Sequence, residues 1–348
     1  MAKSMNRTKV RKTYNLLIQL AILVLTYYFI YLQVFEKTGM ERVFRAVKEG
    51  WSTSAFTNAA VYLSALMLVN WGIEAAKWKY MIGKIEKVGF LKAYYAVLTG
   101  VAVSSFTPNR IGEYFGRVFV LDKASRFEGT LITILGSMSQ LLVTIITGSA
   151  ALLVFIPFWP GPHAYINGYL LYILAAVVIG LVLVLLGLFL NVSFLSSLKE
   201  KLLKSRLKRF RKFFRVFAFF HSRELLTILG LSFLRYLVFA SQFYLLLRLF
   251  SVPVPYPEAL MVISLIYFVM AVIPTILITE LGIRGSVSIY FFSIYFGALL
   301  ADPEAVNFGV FAASTLLWFL NVGIPAVTGT LFIFRLRFFR KPSTNHPD

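Results

Sequence analysis

The chain has 348 residues, of which 59% are hydrophobic and 14% charged, with a mean hydropathy of +0.77. A soluble core cannot hide that much apolar surface, whereas a bilayer solvates it, so the composition excludes an ordinary water-soluble enzyme. There are no cysteines and only three scattered histidines (His163, His221, His346), which excludes disulfides and thiolate sites and gives no metal or cofactor constellation. The net charge of +20 reads as membrane topology rather than nucleic-acid binding, because polytopic proteins gather Lys and Arg in cytoplasmic loops.

In chain order, a basic start (Met1 to Thr13) precedes an apolar stretch over 14–33. No small-residue cleavage site follows Ile30–Tyr31–Leu32–Gln33, so this is expected to be an uncleaved first span. Met40, Val43, Phe44 and Val47 recur at helical spacing among charges and predict a short interfacial helix. Further spans are predicted at 58–78, 130–156, 166–190, 224–249 and 306–334, each near the roughly 20 residues a crossing helix needs. Two more apolar stretches are broken. One, 93–121, is interrupted from Thr107 to Glu113; the other, 258–300, from Pro274 to Gly285. Each half of the first is near 18 Å of helix at about 1.5 Å per residue, too short to span.

The basic residues decide how these stretches lie. If both are re-entrant hairpins, 26 of the 35 Lys and Arg fall on the inner side, including a run from Lys199 to Arg223, and four (Lys37, Arg42, Arg45, Lys48) fall outside. A single crossing at the first stretch would put that run outside, against the positive-inside rule. The expected fold is therefore an all-α polytopic membrane protein of one domain, with six full spans and two re-entrant broken-helix hairpins. Both termini would be cytoplasmic and the location the cytoplasmic (inner) membrane. Span, hairpin, span occurs twice, at 58–156 and 224–334, with opposite entry sides, as in an inverted-topology repeat. A basic amphipathic segment at 196–220 is expected to lie on the anionic inner leaflet.

Charge at membrane depth is costly, roughly 2.5–3.5 kcal/mol per residue on insertion scales, so it marks a cavity or a partner. The first hairpin carries Arg110, Glu113 and Arg117; the second carries Glu280 and Arg284. Pro108 with Gly112, and Pro274 with Gly282 and Gly285, are the expected helix breaks. Arginine suits a phosphate, so the two tips together are expected to grip a zwitterionic or anionic head group near the midplane. The competing reading is that these charges only pair with each other. Arg235, mid-span, would face the hairpins. Glu74 and Lys77 read as an i,i+3 ion pair at the interface. Asn70, Gln140, Gln242 and Asn321 read as packing residues. No catalytic triad, metal-ligand spacing, Walker loop or dinucleotide fingerprint is visible.

The run Pro108–Asn109–Arg110–Ile111–Gly112–Glu113, followed by Arg117, resembles the lysylphosphatidylglycerol synthase transmembrane-region family, whose members carry a proline, a basic residue, Gly-Glu and a following Arg. The second hairpin looks like the family's later motif: Gly282–Ile283–Arg284 matches, but Gly285 stands where the family usually has Glu, and Glu280 precedes it. The resemblance covers about Ala60 to Phe334. It implies a flippase-type domain that moves polar lipids or lipid-linked glycans between leaflets. The family's best-known members add a soluble aminoacyl-transferase. The sequence after the last span is too short to form one, so lysyl transfer, and enzymatic activity generally, is not expected. Two readings stay open beside this one: an intramembrane head-group transferase or hydrolase, with Glu113 or Glu280 as base, and a non-catalytic partner of an envelope-biosynthesis enzyme. Membrane lipids are the expected partners, with self-association also open.

Overall fold

A computed structural model describes residues 2–35, 39–107, 110–156, 168–191, 216–273, 277–296 and 302–336. Within them the fold is helical throughout, and six helices are long and apolar enough to cross a membrane. The chain is thus a multi-span membrane protein. The six are α1 (Ala2–Phe35), α3 (Ser54–Ile82), α6 (Arg126–Phe155), α7 (Gly168–Leu190), α8 (Ser222–Leu249) and α11 (Pro303–Trp318), the last continuing through a π-helical turn into α12 (Ile324–Thr330). They coincide with the six expected spans. The interfacial segment forms α2 (Met40–Gly50), with Met40 and Val43 buried. The basic segment 196–220 lies outside the described residues except for its last five.

Each broken stretch becomes a pair of helices. The first gives α4 (Phe90–Ser104) and α5 (Gly112–Val118). Gly116 lies against Gly100, and Gly112 lies against the Val103 carbonyl, so α5 runs back along α4. The outer ends of this pair are tied together by Lys92 Nζ to Asp122 Oδ2 at 2.7 Å. The second stretch gives α9 (Tyr256–Val272) and α10 (Leu277–Phe296). Tyr244, near the end of α8, packs on Tyr256 at the start of α9. Phe155, at the end of α6, packs on Phe291 and Tyr295 of α10. The start of α9 and the end of α10 therefore share one end of the bundle. The α4–α5 pair has its open end at the other, where Lys84, just after α3, meets Glu224 in the first turn of α8 at 2.5 Å. At 20 residues α10 is longer than the expected half-helix, close to 30 Å at about 1.5 Å per residue.

Local signals set the helix ends. Thr53 caps α3 by accepting from the Phe56 amide at 3.3 Å, and Asp302 caps α11 by accepting from the Glu304 and Ala305 amides at 3.1 Å each, with Pro303 in the first turn. Pro325 has no N–H to offer the Asn321 carbonyl, which explains the π-helical turn Phe319–Gly323 just before it. That turn presents Asn321 inward. Its Nδ2 donates to Gln242 Oε1 at 3.1 Å, while Asn70 Nδ2 donates to its Oδ1 at 2.7 Å and Gln242 Nε2 donates to the Leu63 carbonyl at 3.2 Å. This buried amide chain joins α3, α8 and α11, as expected of packing residues.

The loop between α3 and α4 is fastened to the loop before α6 by one carboxylate. Glu86 accepts from the backbone amides of Asp122, Lys123 and Ala124 at 3.1, 2.8 and 2.9 Å. Partial burial pushes its pKa up, but these three amides and Lys92 outweigh that and hold the carboxyl at about 2, against an ordinary value of 4.5. A depressed carboxylate stabilises the fold fully above its unfolded pKa and loses that contribution as pH falls toward the folded one. The stability of the detergent-solubilised protein is therefore expected to decline between pH 4.5 and about 2 in part through Glu86. Thermal unfolding of Glu86→Gln across that range should show a lower starting midpoint and a shallower acid slope; an equal slope would remove Glu86 from the account.

Candidate polar site at the first hairpin

Arg110 and Gly112 build the tip. Thr107 Oγ1 accepts from the Gly112 amide at 2.8 Å and donates to the Ser104 carbonyl at 3.2 Å, which turns the chain from α4 into α5. A Cβ on Gly112 would sit 2.5 Å from the Val103 carbonyl oxygen, so only glycine fits this close return. Arg110 is held at a φ of 56°, a left-handed conformation that costs a side-chain-bearing residue roughly 1–2 kcal/mol. Pro108 and Pro274 lie outside the described residues.

From this tip α5 carries Glu113 and Arg117 into the bundle. Arg117 Nη1 donates to Glu74 Oε1 of α3 at 2.7 Å, and its Nη2 pairs with Glu113 one turn back. Glu74 also takes Lys77 Nζ at 2.9 Å and Arg235 Nη1 of α8 at 3.4 Å. Lys77 Nζ donates onward to Ser232 Oγ at 3.2 Å and to the Gly136 carbonyl at 3.3 Å. Arg235 stacks over Trp71, 5.1 Å from the ring centre, and reaches Gln140 Oε1 at 3.4 Å. Arg110 is within electrostatic reach of both Glu113 and Arg235. Four cations thus converge on two carboxylates. The Nε groups of Arg110, Arg117 and Arg235 and the Trp71 indole N–H have no hydrogen-bond partner. Arg117 and Lys77 are sealed in, whereas the Arg235 side chain keeps 19% of its surface open.

The structure brings together four of the six expected binding residues (Arg110, Glu113, Arg117 and Arg235). It adds Glu74 and Lys77, whose expected i,i+3 pair is present and buried among the helices. The signal was available: Asn70, Glu74 and Lys77 recur at i, i+4 and i+7, a polar stripe on one face of an apolar helix.

Glu280 and Arg284 are not part of this cluster. They form their own i,i+4 pair on α10, with Arg284 Nη2 donating to Glu280 Oε1 at 2.5 Å. Gly282 and Gly285 lie inside α10 and so do not break it, contrary to expectation. Gly285 instead makes room for Phe311 of α11, whose ring would lie 2.7 Å from an added Cβ; Gly282 faces open space.

Residues 16–340 match the profile of the family described as the lysylphosphatidylglycerol synthase TM region. The chain belongs to that family. The match spans nearly all of the helices, both hairpins included, so the resemblance carried by the Pro108–Arg117 motif extends to the whole bundle. No curated protein and no solved structure matches the chain. Membership of the lysylphosphatidylglycerol synthase TM-region family ties the protein to membrane lipid.

Proposed function

We propose that this protein moves polar lipids or lipid-linked glycans between the leaflets of the cytoplasmic membrane, without chemically altering them. One observation carries the reading: four cations against two carboxylates among the helices of the bundle, with arginine N–H groups left unpaired. Charges serving only to brace helices would balance; an excess of positive charge beside a partly open arginine suits an anionic head group. In this reading α4–α5 and α9–α10 are re-entrant hairpins entering from opposite sides. The units 58–156 and 224–334 are inverted repeats, the termini are cytoplasmic, and the basic segment 196–220 rests on anionic inner-leaflet lipid. Arg110 at the strained tip and Arg235 in the gap receive the head group, while Glu113 and Glu74 hold the arginines until it arrives.

The test is leaflet-resolved movement of fluorescent phospholipids and a polyprenyl-linked sugar in liposomes holding the purified protein. Wild type is expected to move at least one of them, and Arg110→Ala or Glu113→Ala to abolish movement with folded protein retained. Normal movement in both variants would reject the site. A lipid recovered chemically changed would favour a head-group transferase instead.

A further inference from the structure

We propose that Arg284, Ser288, Thr315 and Trp318 form a second site, separate from the first cluster, that binds a phosphate group. The helices α10 and α11 run antiparallel in a fixed register. Ser293 Oγ donates to Asn307 Oδ1 at 2.9 Å near one end, Gly285 lies against Phe311 and Ser314 in the middle, and Leu281 clusters with Trp318 toward the other. That register sets Arg284 level with Thr315, with Ser288 one turn to one side and Trp318 one turn to the other.

All four residues are buried, Arg284 the most open at 9%. Arg284 Nε and Nη1, Ser288 Oγ, Thr315 Oγ1 and Trp318 Nε1 all lack a hydrogen-bond partner. Each of these is a donor. Buried hydroxyls elsewhere in this protein bond back to their own helix: Ser264 to the Leu260 carbonyl at 2.6 Å, Thr99 to Tyr95 at 2.6 Å, and the neighbouring Ser314 to Phe311 at 3.1 Å. Among the described residues, Ser288 and Thr315 carry the two hydroxyl oxygens that are sealed from solvent and have no partner. The α10–α11 register sets them within a turn of Arg284, whose Nε and Nη1 are also without a partner.

Unpaired buried donors oppose folding, and one helix pair gathering them around a guanidinium points to an acceptor-rich ligand that supplies what is missing. A phosphate oxyanion fits. It accepts several hydrogen bonds, takes two from an arginine fork, and as a lipid phosphodiester carries no P–OH that would need an acceptor. Glu280 is the carboxylate of the site. It already holds Arg284 Nη2, which fixes the guanidinium so that Nε and Nη1 remain for the ligand. The inference rests on the translocation reading only for where the phosphate comes from: a lipid head group passing the second hairpin.

Thermal unfolding of the full chain in neutral detergent tests it, with inorganic phosphate, phosphatidylglycerol or diacylglycerol added. Ser288→Ala with Thr315→Val changes volume little and deletes two unpaired hydroxyls, so without ligand the double variant is expected to melt at or above the wild-type midpoint. Phosphatidylglycerol is expected to raise the wild-type midpoint by several degrees and the variant midpoint by half as much or less, the remainder coming from the first cluster. The same contrast with inorganic phosphate would make the free anion a ligand too, and its absence there would assign the site to the lipid. An equal shift in wild type and variant, no shift with either ligand, or an equal shift with diacylglycerol would overturn the proposal. Binding without lipid movement in liposomes would reject translocation and leave this site standing.

Discussion

Glu74→Ala is expected to be the most damaging single substitution in the protein. The carboxylate is shared by Arg117 at 2.7 Å, Lys77 at 2.9 Å and Arg235 at 3.4 Å. Removing it leaves three cations facing one another in a largely buried site, with only Glu113 to counter Arg117. Breaking a buried pair by deleting one partner costs about 3–5 kcal/mol, because the stranded charge is left without solvent. Here one deletion takes the shared counter-ion from three cations and leaves Lys77 and Arg235 with none, so the upper part of that range applies. Glu113→Ala should cost less, since Arg117 keeps Glu74. Glu74→Gln should fall between, retaining hydrogen-bond acceptance without the charge. Midpoints of thermal unfolding in one detergent should rank wild type, Glu113→Ala, Glu74→Gln and Glu74→Ala in descending order. A Glu74→Ala midpoint equal to that of wild type would mean that the cluster is solvated and contributes no cohesion.

Gly116→Ala is the second large effect. The helices α4 and α5 cross backbone to backbone: a Cβ on Gly116 would stand 2.7 Å from the Gly100 Cα and 3.2 Å from the Thr99 carbonyl oxygen. The third neighbour, the Val103 Cβ at 3.2 Å, is fixed to its own backbone and cannot swing aside, so α5 itself must move. Overpacking of this kind costs about 1–3 kcal/mol. The displacement also falls on the residue before Arg117, whose own Cγ lies 2.8 Å from where a Gly100 Cβ would be. Both the Glu74 contact and the tip geometry are therefore expected to loosen, so head-group-dependent activity should fall further than stability alone dictates. Gly230→Ala is the control. Nothing lies within 4 Å of a Cβ at Gly230 in the middle of α8, and the substitution should be neutral or stabilising by up to ~1 kcal/mol from helix propensity. If Gly116→Ala behaved like Gly230→Ala, the close crossing would have to be wrong.

Much of the architecture was legible because membrane helices announce themselves locally. The six long helices follow from hydropathy and length, and the first helix pair from a proline and Gly112 set among charges; at the second, the break falls before Leu277 and the two glycines lie within α10. The first motif also led to Arg110, Glu113 and Arg117, since three charges in an apolar stretch have few bland explanations. The convergence of α3, α5 and α8 was not legible. Glu74 sits 43 residues from Arg117 and far from Arg235 in sequence, and a carboxylate three residues from a lysine looks complete by itself. Only packing shows that the pair is the hub. Likewise the sequence places Glu280 and Arg284 at a break without revealing that α10 begins at Leu277 and carries them as a buried i,i+4 pair of their own. Ser288, Thr315 and Trp318 carried no signal individually. A lone hydroxyl in an apolar helix normally bonds to its own backbone, and that these two do not is visible only in three dimensions.

The seventh helix has a different kind of consequence. With a mean hydropathy of 3.2, α7 is the most apolar of the six crossing helices, and Phe189 is its single buried residue. Its neighbours impose almost no shape on it, so the surrounding lipid is the main judge of its sequence. Over evolutionary time its residues should be free to exchange among Leu, Val, Ile and Phe while their order is scrambled, and its length should track the thickness of the membrane that houses the protein. In the same chain α3 and α8, whose inward faces carry the charges, have no such latitude.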